Sequence, residues 1–411
     1  MDAENSQPSI SVKRRLDAYI RMVLTSLDSD ELEALGRLAC ARYFDRDVFV
    51  ALGGEHLGLS FDHIIRLPIV ERFAADRDNY QLIRDVREAL ISELAFEEYQ
   101  KTCKRLYELY RDRDDVEALY HLFAIDAATA CRRLMEMFSA AEATFDLARC
   151  HRLVRTAKAR SAYLTPGLHF ALRELERRLA AYWLWAEGRY RTVSYVERDE
   201  TRSALAGLLA ARAESWLLHV HGPAGAGKSM FVDHAIARRL CPDIPCAKID
   251  FNYVVDPVAA MGEPWRLVLR MAEQLAIQLD DRSLTQLAGE YRPILEANFS
   301  AYALPRERAS SARSVTEATP GTDDIVTRFG DMVSLCTGSE PVVLAFDTLD
   351  VAATGSAANI EPLLDVLIRL RQRIHGLRVI FSGRHELTSL RPDARAGFQV
   401  LELWPLPADA A

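Results

Sequence analysis

Apolar positions along the first hundred residues recur at helical spacing, interrupted once by two short extended runs. Leu32, Leu35, Leu38 and Ala39 share one face of a helix over residues 30–43, with Asp28 or Ser29 as its N-cap. A second helix carries Val48, Phe49 and Leu52 and stops at Gly53-Gly54, and a third covers residues 60–66. Ile69, Val70 and Phe73 then read as a strand, residues 76–79 supply turn chemistry, and Tyr80, Gln81 and Leu82 return as a second strand. The next helix places Val86, Leu90 and Leu94 on one side. After an N-terminal tail or helix over 1–27, this order predicts a winged-helix-like block over 28–95.

Residues 96–192 read as helix after helix. Tyr99, Cys103, Leu106 and Tyr110 form one stripe, and Val116, Leu119, Tyr120 and Phe123 form another. Leu134, Met137, Phe138, Leu147 and Val154 continue the series, and Pro166-Gly167 breaks it before a last helix over 168–187. Helix pairs of this length resemble tetratricopeptide-type repeats, and the aromatic stripes are read as core. From Trp216 the rhythm changes. Short apolar runs at 216–221, 247–251, 342–346, 378–381 and 399–403 alternate with helical stretches, which predicts a parallel sheet covered on both faces. The polar stretch 305–324, rich in Ser, Thr and Arg, is read as a mobile surface insertion.

Composition changes this picture only by exclusion. A chain of 411 residues calls for two or three domains, and 49% hydrophobic with 27% charged residues describes a globular protein. A net charge of −8 gives no electrostatic footprint for nucleic acid or an anionic membrane. No apolar run is long enough to span a bilayer, and the first thirteen residues lack the apolar core of a signal peptide, so a cytoplasmic location is expected. Seven scattered cysteines read as free thiols in a reducing compartment. His219 and His221, and the adjacent Cys150 and His151, are read as packing residues, since neither pair has a third group to make a metal or nucleophile site.

The chemistry sits in HGPAGAGKS, His221 to Ser229. It fits the phosphate-loop pattern with Gly222, Gly227, Lys228 and Ser229, and Pro223, Ala224, Gly225, Ala226 and Met230 complete the stretch expected against the nucleotide. Glycines let the backbone wrap a phosphate, and the helix that follows, read over 229–240, aims its positive end at the same anion. Lys228 would pair with the β- and γ-phosphates and the Ser229 hydroxyl with Mg²⁺. A lysine here, in a chain that otherwise prefers arginine, suits a site needing a compact ammonium. The apolar run PVVLAFDTLD places Asp347 at a strand end as the second magnesium residue. Thr348 stands where a catalytic glutamate is usual, leaving Asp350 as a candidate base or a helix cap. Arg384, closing the run LRVIFSGR, is placed to reach over the nucleotide crevice toward the γ-phosphate.

Taken together, these segments resemble the STAND class of P-loop NTPases, the signal-transducing ATPases that include apoptosome, plant disease-resistance and bacterial regulatory proteins. The resemblance covers about residues 195–406. It implies an α/β P-loop NTPase domain over 193–411 that binds ATP or ADP with Mg²⁺, GTP being the other candidate. It also implies that Val196 and Arg198 lie along the adenine, although Glu197 replaces the usual glycine. The run IFSGR is similar to the family's sensor segment, and LELWPLPADA to its entry into a helical lid. The lid's Gly-x-Pro motif and the winged helix that follows it are not in the sequence, so a fragment or an early stop is expected. The function implied is a slow ATPase switch that controls conformation or homo-oligomerisation, with protein partners on the helical repeats. The competing readings are a winged-helix transcription regulator and a turnover ATPase. DNA binding is disfavoured, because Ser60 to Arg66 offers one arginine and one histidine beside Asp62, and Arg72 and Arg77 are offset by Glu71, Asp76 and Asp78.

Overall fold

The computed structural model describes residues 22–73, 78–210, 215–292, 322–352, 360–387 and 397–406. Most of the polar stretch read as an insertion, 305–321, lies outside them. The chain forms two compact units, Met1–Arg173 and Glu174–Ala411.

Residues 22–26 are helical and put Val23 into the core, and α1 (Ser29–Ala39) follows, its start fixed by a capping box. The Asp28 carboxylate accepts from the Glu31 amide at 2.8 Å, and the Glu31 carboxylate accepts from the Asp28 amide at 2.9 Å. This helix ends four residues earlier than the periodicity predicts. The reason lies in the hairpin: Phe44 exchanges backbone hydrogen bonds with Tyr80 at 2.7 and 2.8 Å, which draws the chain out of helix. Then come α2 (Arg46–Ala51), capped by Asp45, and a single turn, α3 (Phe61–Ile64), capped by Ser60. An antiparallel hairpin of β1 (Val70–Arg72) and β2 (Tyr80–Leu82) pairs Val70 with Leu82, and α4 (Arg84–Glu93) follows. The core begun by Leu35, Leu38, Phe44, Phe49, Ile64 and Val86 continues through Tyr99, Cys103, Leu106 and Tyr110 of α5 (Phe96–Tyr110). One core therefore runs across residue 95.

Three further helices, α6 (Asp115–Ile125), α7 (Ala127–Ala143) and α8 (Leu147–Lys158), complete this unit before α9 (Pro166–Leu184). Buried residues surround α6 on every side from Val116 to Ala124, which makes it the central helix. It carries a charge inward. Glu117 accepts from Arg42 Nε at 2.8 Å, and despite its burial the carboxyl is held down at about 2 by His121 and Arg42.

The second unit has α10 (Ala186–Arg191) and α11 (Asp199–Leu209) leading into a five-stranded sheet, all parallel, in the order β4-β5-β6-β3-β7. The strands are β3 (Leu217–His221), β4 (Cys246–Asp250), β5 (Val342–Asp347), β6 (Leu377–Gly383) and β7 (Phe398–Glu402). Each lies within two residues of its sequence-predicted run. Alternation divides their side chains between two cores. Ala247, Ile249, Leu344, Phe346, Val379 and Phe381 meet α14 (Trp265–Leu279), α16 (Thr322–Thr337) and α18 (Glu361–Arg373). Leu218, Val220, Val343, Ala345 and Ile380 meet α11 and α12 (Lys228–His234). Between these elements stand α13 (Pro257–Gly262), α15 (Arg282–Glu290) and the short α17 (Leu349–Ala352).

One local feature departs from the sequence reading, and a second lies outside it. The helix after the phosphate loop is not α-helical to its end but turns into a π-helix, Ala235–Leu240, closed by Cys241 N–H on the Ile236 carbonyl at 2.9 Å. The wider turn keeps Ile236, Ala237 and Leu240 inside while Arg238 and Arg239 face solvent. Edge strand β4 is covered by side chains. Gln274 bonds both backbone groups of Lys248 at 2.8 and 2.9 Å, and Gln278 bonds both those of Cys246, its amide accepting at 3.0 Å. These two amides satisfy ladder groups that an edge otherwise leaves open. Gln278→Leu is expected to lower the stability of this unit by about 2 kcal/mol, because buried N–H and C=O groups lose their partners. Chemical denaturation followed at tryptophan fluorescence would check it.

Candidate nucleotide site

Strand order sets the site. The P-loop strand β3 and the acid-bearing strand β5 are separated by one strand, β6, and all three end on the same edge. Past His221 the backbone turns at Gly222, where φ is 144° and a Cβ would lie 2.0 Å from the Leu403 carbonyl oxygen. Gly225 and Gly227 also hold positive φ, 79° and 89°, and Gly227 caps α12 in the left-handed region. Only glycine fits this path, and the path leaves a backbone cradle at a helix start. Lys228 Nζ donates to the carbonyls of Gly222 and Pro223, both at 2.8 Å. Its pKa is lowered by burial, with Asp350 and Asp347 opposing the shift and Arg384 adding to it. The charges of all three groups are therefore felt at the ammonium.

Asp347 is fully buried at the end of β5. Its Oδ1 accepts from Ser229 Oγ at 3.1 Å, from Ser382 Oγ at 2.6 Å and from the Thr348 amide at 3.0 Å. Its Oδ2 makes no hydrogen bond but lies 3.2 Å from Lys248 Nζ. The chain leaves Asp347 through Thr348 at φ 60°, a left-handed position unusual for a β-branched residue. Two side-chain bonds hold it there: Thr348 Oγ1 donates to Asp250 Oδ1 and accepts from Asn252 Nδ2, each at 3.1 Å. Asp250 ends β4 directly opposite Asp347, and burial raises its pKa, with Asp347 adding to the shift.

Asp350 and Arg384 pair with each other, Arg384 Nε lying 3.1 Å from Asp350 Oδ2, with the arginine mostly exposed. Arg198 spends its guanidinium on two backbone carbonyls, those of Ala226 at 2.9 Å and of Trp404. It therefore ties the segment before the P-loop to the loop itself and to the end of β7. Val196 and Met230 are exposed apolar side chains, and Ala226 is buried. His219 is buried with its ring 5.5 Å from that of His221, and burial with that neighbour pushes its pKa down to about 4.

Residues 194–380 match the model of the AAA ATPase domain family. The match falls within the second unit, whose five-stranded parallel sheet flanked by helices fits a P-loop NTPase. A search among curated proteins finds no match to the chain. Among the described residues no cluster of three His, Cys, Asp or Glu side chains forms a metal cage, and no helix is long and apolar enough to cross a membrane. A magnesium ion in such a domain is held by substrate phosphates and one or two protein oxygens instead. Ser229 Oγ beside a buried Asp347 whose Oδ2 makes no hydrogen bond fits that donor set.

Sequence reasoning brought together Lys228, Ser229, Asp347, Asp350 and Arg384. It missed Ser382, although that residue stands in the run it singled out, and it missed Lys248, Asp250 and Asp233. Hydrophobic alternation could have found Lys248: it interrupts an otherwise apolar strand and faces the same side as Cys246.

Gly222→Ala is expected to weaken ADP binding at least about tenfold, roughly 1.4 kcal/mol, since its Cβ overlaps backbone. Gly207→Ala in α11, where the nearest atom is 3.7 Å away, is the control and should leave affinity unchanged. Titration with a fluorescent nucleotide reads both.

Proposed function

We propose that this chain is an ATP-controlled conformational switch of the STAND kind, in which nucleotide binding and slow hydrolysis change how the P-loop unit contacts other protein surfaces. The observation that carries it is the convergence of Ser229, Ser382 and Thr348 N–H on one carboxylate, Asp347, beside the P-loop lysine. Lys228 would exchange its two backbone carbonyls for phosphate oxygens, the P-loop amides would hold the phosphates, and Ser229 with Asp347 would hold Mg²⁺. When bound, the ion spreads positive charge over the β- and γ-phosphates.

Slow turnover follows from the side chains around the γ-phosphate position. The residue after Asp347 is Thr348, whose hydroxyl is committed to Asp250 and Asn252. Asp350, the candidate base, is held by Arg384. A base so paired must first lose its cation, and a γ-phosphate competing for Arg384 would release it. Contact with ATP but not ADP at this pair gives the differential binding that a switch needs. Val196 and Arg198 are assigned to the adenine side, Arg198 through the loop it braces. The turnover-motor reading has no comparable support.

The first unit is assigned to protein contacts, through its helices and winged-helix-like hairpin, rather than to DNA. It has a cavity of about 710 Å³ lined by Arg42, Arg84, Arg87, Arg152 and Arg155. Arg42, Arg84 and Arg152 already pair with Glu117, Glu88 and Asp114, and Arg87 donates to the Ala39 carbonyl and the Tyr120 hydroxyl. Phosphate binding requires several guanidinium or ammonium groups at once.

Lys228→Ala is expected to lower ATP and ADP affinity at least about tenfold with the fold intact. Asp347→Asn should remove both the magnesium-dependent part of the affinity and hydrolysis, while Asp350→Asn should spare binding and slow hydrolysis only. Wild-type turnover should stay below about one per second. Calorimetry and a phosphate-release assay test these together; unchanged affinity in Lys228→Ala would overturn the site.

A further inference from the structure

Lys248 stands in the densest cluster of buried charge in the second unit. From β4 its ammonium reaches the Asp233 carboxylate of α12 at 2.7 Å and lies 3.2 Å from Asp347 Oδ2. All three side chains are nine-tenths or more buried. Asp250, two residues on, adds a third carboxylate on the same side, and Arg191 approaches Asp233 from α10 at 3.5 Å. Burial opposes the charge on Lys248, but Asp347 and Asp233 outweigh it and raise its pKa, so the group is an ammonium at neutral pH. The chain has six lysines among 51 basic residues, and beyond Lys158 the only two are Lys228 and Lys248. Both serve this one site. A guanidinium has a wide planar fork, whereas this space between a strand and the P-loop helix takes a compact ammonium.

We infer that Lys248 is a positioning residue that fixes Asp347 and stands in for part of the magnesium charge, so that nucleotide binding depends only weakly on Mg²⁺. This inference rests on the nucleotide reading of the site. Its logic is a division of the carboxylate. Oδ1 is filled by two hydroxyls and an amide, and Oδ2 faces the ammonium, so the charge of Asp347 is compensated before any ion arrives. Asp233, Asp347 and Asp250 surround this ammonium, and without it their charge would disfavour an anionic nucleotide at the P-loop unless a divalent cation accompanied it. With Lys248 in place, that repulsion is largely cancelled. Holding Asp233 as well, the same ammonium links β4, β5 and the second turn of α12, and so sets where Ser229 meets Asp347.

The test is the ratio of ADP dissociation constants in EDTA and in excess Mg²⁺, read with fluorescent ADP on the full chain. Wild type should give a ratio below about five, and Asp347→Asn a ratio near one. Lys248→Gln keeps donors for Asp233 and Asp347 but loses the charge, and its ratio should exceed about twenty, mainly through weaker binding in EDTA. Lys248→Arg keeps the charge and should stay near wild type in this ratio, whatever it does to stability, which thermal unfolding reports separately. A wild-type ratio above about twenty, an unchanged ratio in Lys248→Gln, or an equal rise in both lysine variants would overturn the inference. No ADP binding by wild type in either buffer would instead overturn the nucleotide reading, and this inference with it.

Discussion

A fully buried carboxylate is the constraint on which the nucleotide unit turns. An ionised Asp347 inside the sheet edge would be costly unless every oxygen were compensated. The compensation comes from four segments: Ser229 on the P-loop helix, Ser382 on β6, the Thr348 amide just past β5, and Lys248 on β4. Those partners are far apart in sequence, and only this strand order brings them to one point. The left-handed turn at Thr348 follows from the same need, since it aims the amide back at the carboxylate it has just left. Fold and site are here one arrangement, seen first as packing and then as charge.

Much of this was legible beforehand because it is local. A phosphate loop is contiguous, so its glycines, lysine and serine could be read from nine residues, and β5 announced itself by an unbroken apolar run closed by an acid. β3, β5 and β6 were found because parallel strands buried on both faces leave little ambiguity. Lys248, Asp233 and Asp250 were not legible, since their meaning depends on which strand lies beside which. Nor was the pairing of Asp350 with Arg384, two residues assigned separate roles in isolation. The π-helical end of the P-loop helix was missed because its apolar spacing is close to that of an α-helix over a single turn.

The first unit shows the other limit of such reading. Its helices and hairpin appeared in the expected order, with caps at Asp28, Asp45 and Ser60. The sequence-based boundary near residue 95 corresponds to no break in packing, because Tyr99, Cys103 and Leu106 complete the core that Leu35 and Phe44 begin. Periodicity reports which face of an element is buried and says nothing of what buries it. On the proposed reading, a block that shares its core with the next helices would be poorly placed to act as an independent DNA reader, and Arg42, Arg84, Arg87 and Arg152 are held by internal partners.

A nucleotide switch needs an element with two arrangements and a ligand that prefers one of them. Lys228 and Arg198 both donate to P-loop carbonyls, to Gly222, Pro223 and Ala226, and Arg198 extends the link to Trp404 beyond β7. Arg384 and Asp350 form a second link, assigned on the proposed reading to the γ-phosphate side. An incoming phosphate competes directly for Lys228 and Arg384, while Arg198 gains nothing by letting go. On the proposed reading, the loop would therefore rearrange around a fixed Arg198, and movement would leave the site along the two partners that are released. Asp350 opens α17, four residues long, so loss of its arginine acts on a helix too short to resist on its own. The same helix packs against β6 and the turn after β4, which carries any shift from the γ-phosphate to the far edge of the sheet. On the same reading the Asp347 cluster, held from four segments, would be the fixed point against which those parts move.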